Sequence, residues 1–214
     1  MAISKADFNN INITPTASKA IKWNASANGF EAGALGGSIV LISTQTASSS
    51  ANLSFTSGID DTYDSYVFKF INIHPATDGA TLELQGSTDS GSNYGVTKTT
   101  TYFTTYQDEA DGGAALTYYA DEDLAQSTAS QNITHYQGNA NDESASGEIT
   151  IYNPSSTTFV KHFMTVHNEA TLHNHTVSNH VAGYFNTTSA INAIRFSMSS
   201  GNIDSGVIKM YGIT

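Results

Sequence analysis

The stretch that most narrows the choice of fold is residues 190–214, AINAIRFSMSSGNIDSGVIKMYGIT. Ile194, Phe196 and Met198 alternate with Arg195, Ser197 and Ser199, the period-two pattern of a strand with one buried face. The run Ser-Ser-Gly-Asn-Ile-Asp-Ser-Gly then supplies turn residues, and Val-Ile-Lys-Met-Tyr-Gly-Ile-Thr follows as a second strand. A hairpin of this kind is expected to close an antiparallel sheet.

The polar surface of the chain points the same way. It holds 26 Ser, 27 Thr and 18 Asn against 27 charged residues, and only eight Leu, so hydroxyls and amides supply the solubility. Such side chains compete with the backbone inside helices but suit strands and turns. An all-β protein follows.

From residue 38 onward strand signals recur at short intervals. Strands are expected near 38–46, 52–56, 63–74, 81–85, 95–106, 115–120, 132–136, 147–153, 158–167, 180–186, 191–198 and 206–213. Between them lie Gly-Ser-Thr-Asp-Ser-Gly-Ser-Asn, Asp-Gly-Gly and Asn-Pro-Ser-Ser, which carry the positive-φ and Asx-turn residues of tight connections. Many short antiparallel strands joined in this way give a β-sandwich, jelly-roll-like, over residues 38–214. Residues 1–37 read differently, with turns and little periodicity, as an extended N-terminal arm or a set of edge strands. Phe8, Ile11, Ile13 and Trp23 are its candidate attachment residues, and the glycines of residues 33–37 its hinge.

One strand has two apolar faces. In residues 66–74 Tyr66, Phe68 and Phe70 share one side while Val67, Ile71 and Ile73 share the other. The sandwich core covers one side, and a long loop, the arm or a neighbouring subunit is left to cover the second.

Recognised catalytic patterns are missing: no Gly-x-Ser-x-Gly, no Gly-x-x-x-x-Gly-Lys, no His-Glu-x-x-His and no Cys. Asp108, Glu109, Asp111, Asp121, Glu122 and Asp123 could supply carboxylates for glycoside hydrolysis or oxygens for calcium, without the spacing of a calcium loop. The expected reading is a non-enzymatic protein with solvated acidic loops. Five of the seven histidines fall between His162 and His180. His173 and His175 would share a face of an extended strand, which makes them candidate ligands for a structural metal ion; otherwise no cofactor is expected. Tyr102, Phe103, Tyr106, Tyr118 and Tyr119 stand beside acidic and amide-rich loops. Of these Tyr102, Tyr106, Tyr118 and Tyr119 are candidate glycan or receptor contacts, with cross-strand packing as the alternative.

The net charge of −11 opposes phosphate backbones and anionic membranes, so neither nucleic acid nor membrane insertion is expected. The first ten residues lack the apolar stretch of a signal peptide, and no segment reaches bilayer-spanning length. Synthesis in a cytosol is the expectation.

Several motifs resemble a recurrent module of small virion proteins and fibre tips in tailed bacteriophages, especially marine ones. They are ITPTASKAIKWN (residues 13–24), GGSIVLI (36–42), SFTSGIDDTYD (54–64), GSTDSGSNY (86–94), NPSSTT (153–158), AGYFNTT (182–188) and the closing hairpin. The resemblance carries no catalytic residues. It implies a virion location after synthesis in the host cytoplasm, a surface appendage that is a capsid decoration, cement or short fibre, contacts with major capsid or tail proteins, and a homotrimer. The alternative it implies is a tail-fibre receptor-binding tip that recognises host surface glycans.

Overall fold

The computed structural model describes residues 19–23, 26, 30–34 and 39–214. The chain divides into two compact units, Met1–Ser38 and Ile39–Thr214. In the first, β1 (Lys19–Trp23) and β2 (Phe30–Ala34) pair antiparallel with Trp23 opposite Phe30. The two rings stack at 4.5 Å, and Ile21, Trp23 and Phe30 are exposed. Residues two apart on a strand share a face, so this hairpin presents an apolar side. Phe8, Ile11 and Ile13 lie outside the described residues; so do residues 35–37 of the expected hinge, whereas Gly33 belongs to β2.

The second unit is an antiparallel β-sandwich. Its strands are β3 (Ile39–Ser50), β4 (Asn52–Phe55), β5 (Ser65–Pro75), β6 (Leu82–Ser87), β7 (Lys98–Asp108), β8 (Ala114–Tyr118), β9 (Gln131–Asn132), β10 (Ala145–Tyr152), β11 (Lys161–Ala170), β12 (His175–Phe185), β13 (Ala193–Met198) and β14 (Ile203–Ile213). An eight-stranded sheet runs β3-β14-β5-β10-β11-β12-β7-β8, and a four-stranded sheet runs β4-β13-β6-β9. This order establishes the sandwich and not the finer jelly roll. The only helical element among the described residues is one 3-10 turn, Ala120–Glu122. Ala51 alone separates β3 from β4, and with Ser49 at φ 49° the chain turns a corner from one sheet to the other.

The core lies between the sheets, where period-two alternation delivers one side of each strand. Phe68 from β5, Phe55 from β4 and Phe196 from β13 meet with ring centroids 5.2–6.2 Å apart. Leu82, Leu84, Ile194, Met198, Ile203, Ile208 and Met210 complete the apolar half. Each fully buried side chain of this size stabilises the fold by about 1.5–3 kcal/mol.

The turns behave as their residues dictate. In the β6–β7 connection the Asp89 carboxylate accepts bonds from the Ser87 hydroxyl (2.6 Å), the Asn93 amide nitrogen (2.7 Å) and the Asn93 backbone (2.9 Å), which hold its pKa down at about 2. Asp111 and Asn153 take positive φ in the other two expected turns.

The sequence and the structure part company at the closing hairpin and at two strands. β13 and β14 do not pair with each other: β13 lies between β4 and β6 in the four-stranded sheet and β14 between β3 and β5 in the eight-stranded one, so residues 190–214 cross from one sheet to the other and form no hairpin. The expected strand 132–136 shrinks to β9, because Thr134 turns its hydroxyl to accept the Leu82 N–H (2.6 Å) and His135 gives its backbone N–H to Glu169 (2.6 Å). In β5, Asn72 adopts φ 50° and the register shifts, a bulge that turns Ile73 into the core beside Phe70. The outer side of β5 therefore keeps Val67, Lys69 and Ile71 without Ile73.

Candidate functional site

The eight-stranded sheet changes character as it crosses from β10 to β7. The side of β11 that faces the other sheet carries Lys161, Phe163, Thr165, His167 and Glu169, all buried. Next to it β12 contributes Val177, Asn179 and Val181, and β7 contributes Lys98, Thr100, Tyr102 and Thr104. This half of the interior is polar and must satisfy itself internally.

Asn179 joins the central pair. Its amide nitrogen donates to Glu169 Oε1 at 2.8 Å and lies 3.1 Å from His167 Nε2. Burial pushes the Glu169 carboxyl up to about 8, so it holds its proton at neutral pH. Burial, helped by the His180 charge, pushes His167 down to about 3 and keeps that imidazole neutral. The acid and the base are thus both uncharged at neutral pH, the carboxyl because it keeps its proton and the imidazole because it refuses a second one.

Above this network a recess of about 290 Å³ opens to the surface. Thr104 and Val177 contribute to its lining from the sheet and Thr171 from just past the end of β11, and rings make the rest. Tyr106 stacks on His175 with centroids 4.9 Å apart and planes 19° from parallel. His135 packs against Tyr119 at 4.6 Å and Tyr136 at 4.4 Å, and His173 stands 6.1 Å from Tyr136 and 5.9 Å from His175. Because Glu169 accepts the His135 backbone N–H, the buried network fixes the segment that carries His135 and Tyr136. Burial also lowers the His135 pKa, with Glu122 opposing the shift.

These placements sort the expected site residues. Tyr106 and Tyr119 enter the recess together. Tyr102 does not: it is fully buried, its hydroxyl 3.4 Å from the Ile133 carbonyl and its pKa raised by burial, so it serves the core and not a ligand. Tyr118 projects from the opposite side of the sheet, next to Phe103, with its hydroxyl on Asp123. His173 and His175 do come together, though in a turn and not along an extended strand, since Asn174 between them has φ 56°. Among the described residues no three His, Asp or Glu side chains are grouped to hold a metal ion. The other clustered histidines separate by strand alternation: His167 points inward, while His162 and His180 point outward, His180 stacked on Phe103 at 4.8 Å.

The acidic loops mostly serve themselves. Asp108 Oδ1 accepts the Ala110 N–H at 2.6 Å while its Oδ2 lies 3.7 Å from His175 Nε2, and Glu122 accepts the Asn132 amide at 2.6 Å. His135 and Tyr136 are the recess residues that strand patterns do not reveal, because they sit in an irregular segment placed by one buried carboxyl.

Chemically the recess offers flat π surfaces, imidazole and phenol hydrogen-bonding groups and hydroxyls, with no Lys or Arg in its lining. It suits a small neutral polar ring better than an anion. Comparison with protein-family models, curated proteins and solved structures finds no match.

Proposed function

We propose that this chain is a non-enzymatic bacteriophage virion protein, a surface appendage of the capsid-decoration, cement or short-fibre kind, attached through residues 1–37. The observation that carries the proposal is the separate N-terminal unit, whose hairpin exposes Ile21, Trp23 and Phe30 on one apolar side. The motif resemblance to phage virion modules supports the same reading. Quantitative peptide mass spectrometry of purified particles against the major capsid protein tests it. Hundreds of copies per virion place the protein on the capsid lattice, a dozen or so place it at the tail, and absence rejects the proposal. In a Trp23→Asp variant the sandwich keeps its unfolding midpoint while copy number falls; an unchanged copy number removes the hairpin from attachment.

The recess favours a second reading, a tail-fibre tip that recognises host surface glycans. Tyr106 and Tyr119, with His135 and His175, give the ring-stacking walls that sugar binding uses. Tyr119→Ala is then expected to abolish host adsorption and saccharide binding. Adsorption that survives this substitution argues against it.

A further inference from the structure

No second sheet of the sandwich covers the outer side of the eight-stranded one among the described residues. The four-stranded sheet covers only the inner side. Antiparallel partners directly opposite each other share a face, so the register lays out the outer one in rows. One row runs Lys209 (β14), Lys69 (β5), Glu148 (β10) and Val166 (β11). The β11–β12 register set by Met164 opposite Ala182 and Glu169 opposite Val177 carries it on to His180 (β12), then to Phe103 (β7) and Tyr118 (β8). A second runs Tyr211, Val67, Thr150, Met164, Ala182 and Thr101. Val166 and Met164, on the middle one of the seven strands from β14 to β8, are 54% and 52% exposed; beyond β14 the rows continue with Thr44 and Leu41 of β3. Two apolar side chains stand in water in the middle of these seven strands, Met164 among the residues that line a shallow depression with Ala182 and Thr101.

The order of the first row is what selects the partner. Reversed about β11 and laid on itself, it sets Lys209 against Tyr118, Lys69 against Phe103, Glu148 against His180 and Val166 against Val166. Cations meet aromatic rings, and the carboxylate meets an imidazole. Tyr118 brings Asp123 with it through its hydroxyl, which adds a carboxylate opposite Lys209.

Charge and area agree. In a chain of net charge −11, Glu148 is the only carboxylate in these two rows, and Lys69 already lies 3.4 Å from it. Copies can approach here without the repulsion that the acidic remainder imposes. Seven strands about 4.8 Å apart, over a depth of about 20 Å, give roughly 580 Å² per copy, so a pair buries roughly 1,200 Å² and passes the ~1,000 Å² at which specific interfaces begin.

We propose that this protein forms a two-fold dimer through the outer face of its eight-stranded sheet, with the axis along β11 and Val166 facing Val166 of the second copy. This is a two-fold pair and not the threefold assembly that the sequence resemblance implies, and it stands independently of the proposed virion role.

Sedimentation equilibrium of the full chain at micromolar concentration tests it together with a cysteine introduced into a cysteine-free protein. The expected mass is twice the 22.7 kDa of one chain. Val166→Glu, which sets two like charges on the axis, weakens association about a hundredfold or more without moving the unfolding midpoint of the monomer. Under mild oxidation Val166→Cys gives a covalent dimer, whereas Ile71→Cys, off the axis on the same face, does not. A monomer at all concentrations overturns the proposal, and so does a trimer. A monomer whose Val166→Cys thiol resists alkylation also overturns it, and assigns the face to residues 1–38 instead.

Discussion

At the scale of single residues the most consequential pair is Glu169 and His167, one buried acid and one buried base, both held neutral. Their effects on stability oppose each other. Glu169 ordinarily titrates at 4.5 and in the fold at about 8, so the folded chain keeps a proton that the unfolded chain loses, and stability falls as pH rises from 4.5 to about 8. His167 ordinarily titrates at 6.5 and in the fold at about 3, so the unfolded chain takes a proton the folded one refuses, and stability falls as pH drops from 6.5 to about 3. Between 4.5 and 6.5 the two slopes cancel. The pair therefore gives a plateau there and a decline of about 1 kcal/mol per pH unit on either side. Urea unfolding from pH 4 to 8.5 measures the curve, and Glu169→Gln, which keeps the oxygen that accepts from His135 and Asn179, is expected to flatten the alkaline limb and to turn the plateau into a continuation of the acid limb, because the His167 slope between 4.5 and 6.5 is then no longer cancelled. A Glu169→Gln curve that still declines from pH 6.5 to 8 assigns the limb to other groups.

At the scale of elements, β5 depends on a glycine in its neighbour. Gly206 on β14 has φ 121°, and a Cβ there would lie 2.6 Å from the Asn72 carbonyl oxygen, at the bulge that turns Ile73 inward. Gly206→Ala combines backbone strain with a clash against main chain, so a loss of about 2–4 kcal/mol is expected in chemical denaturation. A loss below 1 kcal/mol would mean that the bulge relaxes freely. The bulge also marks where the sequence ceased to be legible. Strands β13 and β14 read correctly as strands because their apolar alternation coincides with burial, Phe196 and Met198 pointing inward as do Ile208 and Met210, but not as a hairpin, since turn residues between two strands mark equally a crossing from one sheet to the other. Strand β11 reads inside out. Its inward side is Lys161, Thr165, His167 and Glu169 around a single Phe163, while Met164 and Val166 face solvent. Alternation identifies a strand but cannot say which side is the interior when the interior is polar and the surface apolar. The recess shows the same limit, since Tyr106 and Tyr119 were legible as surface aromatics while His135 and Tyr136 are held by a carboxyl 34 residues away in sequence.

At the scale of the whole sandwich these facts make two halves of unequal cohesion inside one fold. Around β5 and β14 the interior is Phe55, Phe68, Phe196, Ile203, Ile208 and Met210, and both strands have partners on each side. Around β11, β12 and β7 it is a hydrogen-bonded network, and the sheet ends at β8, whose side chains are almost all exposed. Apolar packing is indifferent to protonation; the network is not, because ionising Glu169 leaves a charge without a cation beside it. Native-state hydrogen exchange is therefore expected to resolve two tiers. Amides of Phe68 and Met210 exchange only through global unfolding, whereas those of Tyr102 and Val181 also exchange through a partial opening of lower free energy. After correction for intrinsic rates, that opening becomes easier between pH 6 and 8.5 as Glu169 ionises, and in Glu169→Gln it does not. Equal protection across β5, β14, β12 and β7 at both pH values would show instead that the polar half opens only with the apolar one, and that the sandwich unfolds as a single cooperative unit.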